Sequence, residues 1–135
     1  MKQNNQLANK RESQTSTDVP ATAASKKLRA MLFMLENPNG VTEKSINRAA
    51  SVMSGRNYPT NLQRMHNIKL VEPKERRRGR DGSLYTIYQL ASATEAKKLM
   101  TLVLFHCQQH GLTPPDEEYL SQLVQQFAER YQRAA

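Results

Sequence analysis

The chain has no tryptophan, one cysteine and only 6% aromatic residues in 135. The lone Cys107 excludes an intrachain disulfide, and a reducing compartment is expected. So few aromatics leave no platform on which unpaired bases could stack, which argues against a reader of single-stranded RNA. Long apolar runs are missing too. The longest, Leu99 to Phe105, is broken by Thr101 and is far too short to span a bilayer. Met1 to Ala24 lacks the apolar core of a signal peptide. A soluble cytoplasmic protein with no membrane partner is the expectation.

The chemistry of an enzyme is equally hard to find. Gly79-Arg80-Asp81-Gly82 lacks the lysine and the following helix of a nucleotide-binding loop. Asp116, Glu117 and Glu118 open a helix, where they complement its positive end, and offer no spaced acid–base pair. His106 and His110 share a helical face, but His66 is the only other histidine and no second Cys/His cluster exists. Cys107, near Val103 and Leu104, reads as a small buried residue. No catalytic residue, metal or cofactor is expected.

What the chain does have is positive charge, unevenly placed. Of the net +8, residues 25–90 carry all of it, with thirteen Lys/Arg against five Asp/Glu. Residues 1–24 add one positive charge and residues 91–135 remove one. Such concentration suggests a binding face rather than general solubilisation.

Residues 1–24 are rich in Gln, Asn, Ser and Thr and cannot bury enough surface to offset their ordering entropy, so a disordered tail is expected. Its Lys2, Lys10 and Arg11 could reach a nucleic-acid groove. Ser25 is placed to cap a first helix, whose stripe is Leu28, Met31, Leu32 and Leu35, widened by Phe33 and Met34. Asn37-Pro38-Asn39-Gly40 ends it. Thr42 caps a second helix with Ile46, Ala49, Ala50 and Met53 inward, and Ser54-Gly55 breaks the chain. A third helix starts near Asn57 to Pro59, with Tyr58, Leu62 and Met65 facing the core. Its outward set, Thr60, Gln63, Arg64 and Asn67, contains no carboxylate to repel a phosphate.

Two β-favouring runs follow, Ile68 to Val71 and Leu84 to Tyr88, around the cationic stretch Lys74 to Gly82. They predict a hairpin with an arginine-rich turn. A two-residue Asp81-Gly82 turn would pair Arg80 with Ser83 and set Arg78 opposite Tyr85, while a wider loop would gather the arginines at the tip. Beyond residue 91, Thr94 to His110 reads as a helix ended by Gly111. A last helix begins after Thr113-Pro114-Pro115, with the stripe Tyr119, Leu120, Leu123, Val124, Phe127 and Tyr131. This antiparallel pair either folds onto the preceding residues or self-associates.

In its order of elements, residues 25–91 resemble the winged helix-turn-helix family of DNA-binding domains. The fold class expected is mainly α with a small antiparallel β-hairpin wing plus a C-terminal helix pair at 92–135. The resemblance is to small regulators encoded by bacteria, phages and plasmids. It implies a sequence-specific, double-stranded DNA-binding transcriptional regulator, with the third helix in the major groove and the wing on the backbone or minor groove. Carried onto this chain, Thr60, Gln63, Arg64 and Asn67 read bases or position phosphates, and Arg64 is the first choice for a guanine. Asn57 would bond a phosphate at the helix start. Lys74, Arg76, Arg77, Arg78 and Arg80 would neutralise phosphates. A homodimer through Leu99–Phe105 and Tyr119–Tyr131 would impose a palindromic site. Two other readings stay open: a winged-helix adaptor or phage-type inhibitor binding a host protein, and RNA binding through the hairpin.

Overall fold

The computed structural model describes residues 22–134, with side chains as far as residue 130. The expected tail therefore lies outside the described residues except for its last three. Five helices and a two-stranded antiparallel sheet follow in the order α1 (Ala23–Leu35), α2 (Glu43–Ala50), α3 (Asn57–His66), β1 (Arg76–Arg78), β2 (Leu84–Thr86), α4 (Ala93–His110) and α5 (Glu117–Ala134). The protein is mainly helical with a small hairpin.

Helix α1 starts earlier than the Ser25 cap predicts. Thr22 is the N-cap and accepts the Ser25 N–H at 3.0 Å, while the Ser25 hydroxyl donates to the Thr22 carbonyl. A Thr three residues before a Ser can satisfy the same orphan donor, and here the upstream residue prevails. Ala30, Met31, Met34 and Leu35 form the buried face.

At α2 the Thr42 cap is present, reinforced by Ser45, whose hydroxyl receives the Thr42 N–H at 2.8 Å. The helix is shorter than expected. It ends at Ala50 because Ser51 turns left-handed (φ 57°) and the Val52 N–H bonds to the Asn47 carbonyl. Val52 therefore packs against the core in place of Met53, which is 92% exposed. Gly55 makes a close backbone approach to α2. Its N–H donates to Asn47 Oδ1 at 2.7 Å, and a Cβ there would lie 2.8 Å from the Ile46 Cβ and 2.9 Å from the Glu43 carbonyl oxygen.

Helix α3 keeps Pro59 in its first turn and buries Pro59 and Leu62. Tyr58 is half-buried against the core, but Met65 is 70% exposed. Leu62 and Tyr58 face inward as predicted, while buried Pro59 and half-buried His66 join them in place of Met65.

The strand assignment also shifts. Ile68 to Val71 forms only an isolated bridge, Leu70 with Leu90, with hydrogen bonds from Val71 N–H to the Gln89 carbonyl and from Ala91 N–H to the Lys69 carbonyl. A bend at Glu72–Pro73 interrupts the run, and the arginines themselves become β1. A second bridge joins Val41 to Tyr88, with reciprocal bonds of 2.8 and 2.7 Å. The hairpin root is thus fastened to the residue that leads into α2.

Helix α4 packs against α1 and α5 packs against α4, and their apolar faces join one continuous core. Leu99, Val103, Leu120, Leu123 and Phe127 are buried with Met31, Leu35, Ile46 and Leu62. Most of the apolar surface proposed for dimerisation is therefore occupied within the chain. Phe105 and Tyr119 remain exposed, and the Tyr131 side chain lies outside the described residues. Tyr119 donates to Glu36 at 2.5 Å, which pushes its phenol pKa up to about 12.

Two polar side chains are buried at the seams. His106 Nε2–H donates to the Ala24 carbonyl at 2.8 Å and holds α4 against the first turn of α1. Glu95, in the first turn of α4, accepts the Lys69 N–H at 2.7 Å and the Lys98 ammonium at 3.2 Å. Burial is the largest influence on this carboxyl and opposes its charge. The Lys69 N–H and the two lysine charges together outweigh it and hold the pKa below the usual value.

Two outcomes follow from this packing. Gly55→Ala should lower stability by about 1–3 kcal/mol in thermal or urea unfolding, because α2 backbone and core atoms must give way. Glu95→Gln should cost roughly 1 kcal/mol at neutral pH. A depressed folded-state pKa contributes stability that is complete above the unfolded value, 4.5, and is lost as pH falls through the lowered one. The gap between wild type and Glu95→Gln should accordingly close in acid and stay constant above pH 5.

Candidate nucleic-acid interface

The hairpin tip follows from its own residues. The pairs are Arg76 with Thr86, Arg77 with Tyr85 and Arg78 with Leu84. The next pair out is Gly79 with Ser83, whose backbone bond is 2.8 Å, leaving Arg80, Asp81 and Gly82 as a three-residue loop. Gly82 takes φ +85° and donates its N–H to the Gly79 carbonyl, as a type I turn closed by a left-handed residue requires. Asp81 completes the turn by accepting both the N–H and the hydroxyl of Ser83, which lowers its pKa. The two-residue turn with Arg78 opposite Tyr85 is thus replaced by a register one residue away. That change moves each arginine to the opposite face of the ribbon. Arg76 and Arg78 share one face, and Arg77 lies with Tyr85 on the other.

The ribbon's cations differ in how far they are committed. Lys74 pairs with Glu72, whose other contact is the Gln63 amide at 2.9 Å. These bonds lower the Glu72 pKa, with Lys74 the leading cause. Arg77 grips Glu75 through two bonds of 2.7 and 3.2 Å, depressing the Glu75 carboxyl and raising its own pKa. Arg78 donates to the Gly82 carbonyl at 2.6 Å. The Arg76 and Arg80 side chains make no hydrogen bond or ion pair among the described residues. Apart from half-buried Lys74 these groups face solvent, where an ion pair is worth little and an incoming phosphate can replace it at small cost.

On α3 the predicted outward set is only partly free. Arg64 is exposed and without a partner among the described residues. Thr60 is half-buried, and half-buried Gln63 is tied to Glu72 at the ribbon's base. Asn67 is not on the helix face. It is the left-handed C-cap (φ 53°), with an exposed side chain and a carbonyl that accepts Lys98 at 3.3 Å. Asn57 is exposed, but the N–H groups of Asn57 and Tyr58 are already bonded to the Ser54 and Gly55 carbonyls. A phosphate there would meet the Asn57 amide rather than bare helix N–H groups. The Gln63–Glu72 bond joins the exposed side of α3 to the base of the ribbon.

The sequence reading overlooked three cations: Lys44 and Arg48 on α2, and Arg56 at the entry to α3. They line a trough of about 730 Å³ between α2 and the hairpin, shared with Arg80. Lys44 lies close enough to Asp81 to lower that carboxyl's pKa, although the hydrogen bonds from Ser83 contribute more. The Val41–Tyr88 bridge brings these segments together, and nothing in local composition points to that pairing.

Of the histidine pair, His106 is buried and His110 is exposed. The His106 and His110 rings sit 4.6 Å apart, with the His106 Nε2 engaged on Ala24. Among the described residues no group of three His, Cys, Asp or Glu could hold a metal, and no helix is long and apolar enough to cross a membrane. Burial raises the Cys107 thiol pKa.

No curated protein and no solved structure matches this chain. A family model described as "Uncharacterised protein PM1773" matches residues 13–135, and the chain belongs to that family.

Proposed function

We propose that the protein is a sequence-specific double-stranded DNA-binding protein of winged helix-turn-helix type, acting as a transcriptional regulator. The observation that carries this reading is the joint placement of an acid-free α3, with Arg64 exposed, and a three-arginine ribbon whose base is bonded to that helix at Gln63. The order helix, bridge residue, helix, helix, hairpin supports the winged form, because the Val41–Tyr88 bridge sets the ribbon beside α2 and α3. Helix α3 enters the major groove, and Arg64 addresses a guanine with Asn57 and Thr60 beside it. Arg76, Arg77, Arg78, Arg80 and Lys74 lie along the sugar-phosphate backbone or an adjacent minor groove. Gln63 and Asn67 contribute at the edge of this surface, once Gln63 leaves Glu72.

A second reading has its own observation. Met53, Met65 and Leu84 are exposed apolar residues on the turn, the helix and the ribbon of this region, and such residues suit a protein partner. An adaptor or inhibitor of a host protein would use them and bind independently of salt. Five to six phosphates neutralised per chain give a log–log slope of affinity against salt of about −5. Fluorescence anisotropy with duplex DNA measures it, and a slope near zero favours the adaptor.

Two sets of substitutions separate the roles. Arg64→Ala should cost roughly 1–3 kcal/mol on the preferred site and relax base preference there. Changing Arg76, Arg77 and Arg78 together to Ala should weaken all duplexes about equally and flatten the salt slope. Unchanged affinity in the triple variant would remove the ribbon from the interface.

A further inference from the structure

We infer that the trough between α2 and the hairpin is a binding site for a phosphate ester. Four cations line it, Lys44, Arg48, Arg56 and Arg80, and they come from three separate segments of the chain. Two carboxylates share the lining and both are engaged. Glu43 lies 3.6 Å from Arg56, and Asp81 is bound by the Ser83 N–H and hydroxyl. The Arg48 and Arg80 side chains make no hydrogen bond or ion pair among the described residues, so their guanidinium forks are available. Planar forks match phosphate oxygens two at a time.

The remaining walls fit the organic part of such an ester. Half-buried Tyr85 and Tyr88 and the polar residues Thr42 and Thr86 also line the trough. Rings beside cations suit a sugar or base attached to a phosphate. The volume, about 730 Å³, is within the range of small-ligand pockets and accommodates a nucleotide-sized group. The ester has two sources: one strand of duplex DNA, or a free nucleotide. The first deepens the DNA-binding reading by passing a strand between α2 and the ribbon, and the second stands without it.

The test uses the full chain and a variant carrying Lys44→Gln, Arg48→Gln and Arg56→Gln. All three side chains are exposed and none lies in the core, and a circular dichroism melt checks that the variant folds. Titration with adenosine monophosphate and, separately, with a random-sequence duplex gives the two arms. The expected result is at least a roughly tenfold loss in whichever arm the wild type binds. In the duplex arm the salt slope also falls by about 2 to 3. Nucleotide binding without duplex binding supports the trough while ending the DNA reading. A folded variant that binds duplex as tightly as wild type, with the same slope, and shows no loss with the nucleotide overturns the trough and leaves the reading on Arg64 and the ribbon. Failure of the wild type to bind either probe overturns both.

Discussion

Two backbone hydrogen bonds, exchanged between Val41 and Tyr88, organise the basic side of this protein. Val41 immediately precedes the Thr42 cap, so the bridge ties the start of α2 to the outgoing limb of the hairpin. Without it, a short ribbon of three arginines would be joined to the body only through its own ends. A two-stranded ribbon is marginal in water unless it is anchored. The Leu70–Leu90 bridge and the Lys69 N–H bond to Glu95 extend the anchorage to α4. One set of backbone pairings thus fixes where the cations stand relative to α2 and α3.

The energetics divide along the same line. Helices α1, α4 and α5 bury large side chains such as Met31, Leu99 and Phe127, and this burial supplies the stability. The basic face contributes little, since its ion pairs are exposed. A surface held rigidly from behind but only weakly paired in front can exchange internal partners for external ones. Glu72, Glu75 and Glu43 each lie beside a cation of this face.

Much of this was legible in the residues alone. The capping signals at Thr42, Pro59 and Gly111 located helix ends, and the inner faces of α1 and α5 followed apolar spacing. The misses have physical causes. Ser51 adopts a left-handed conformation that Ser seldom takes, so α2 stops early and Met53 swings out. On α3, Tyr58 and Leu62 turn inward as expected, but half-buried His66 takes the inner position in place of exposed Met65. Hairpin register depended on whether Gly82 served a two- or three-residue loop, and Asp-Gly suits both. Most consequential, the trough joins segments more than thirty residues apart, as Lys44 and Arg80 are, through a pairing that no local pattern encodes.

The most direct test of the DNA-binding account is amide chemical-shift mapping of the full chain titrated with duplex DNA. The account predicts salt-sensitive shifts confined to α3, the hairpin and the adjoining turn of α2, with α4 and α5 beyond their first turns unperturbed. Shifts concentrated on the exposed side of α4 and α5 around Phe105 and Tyr119, or none at any salt concentration, would contradict it.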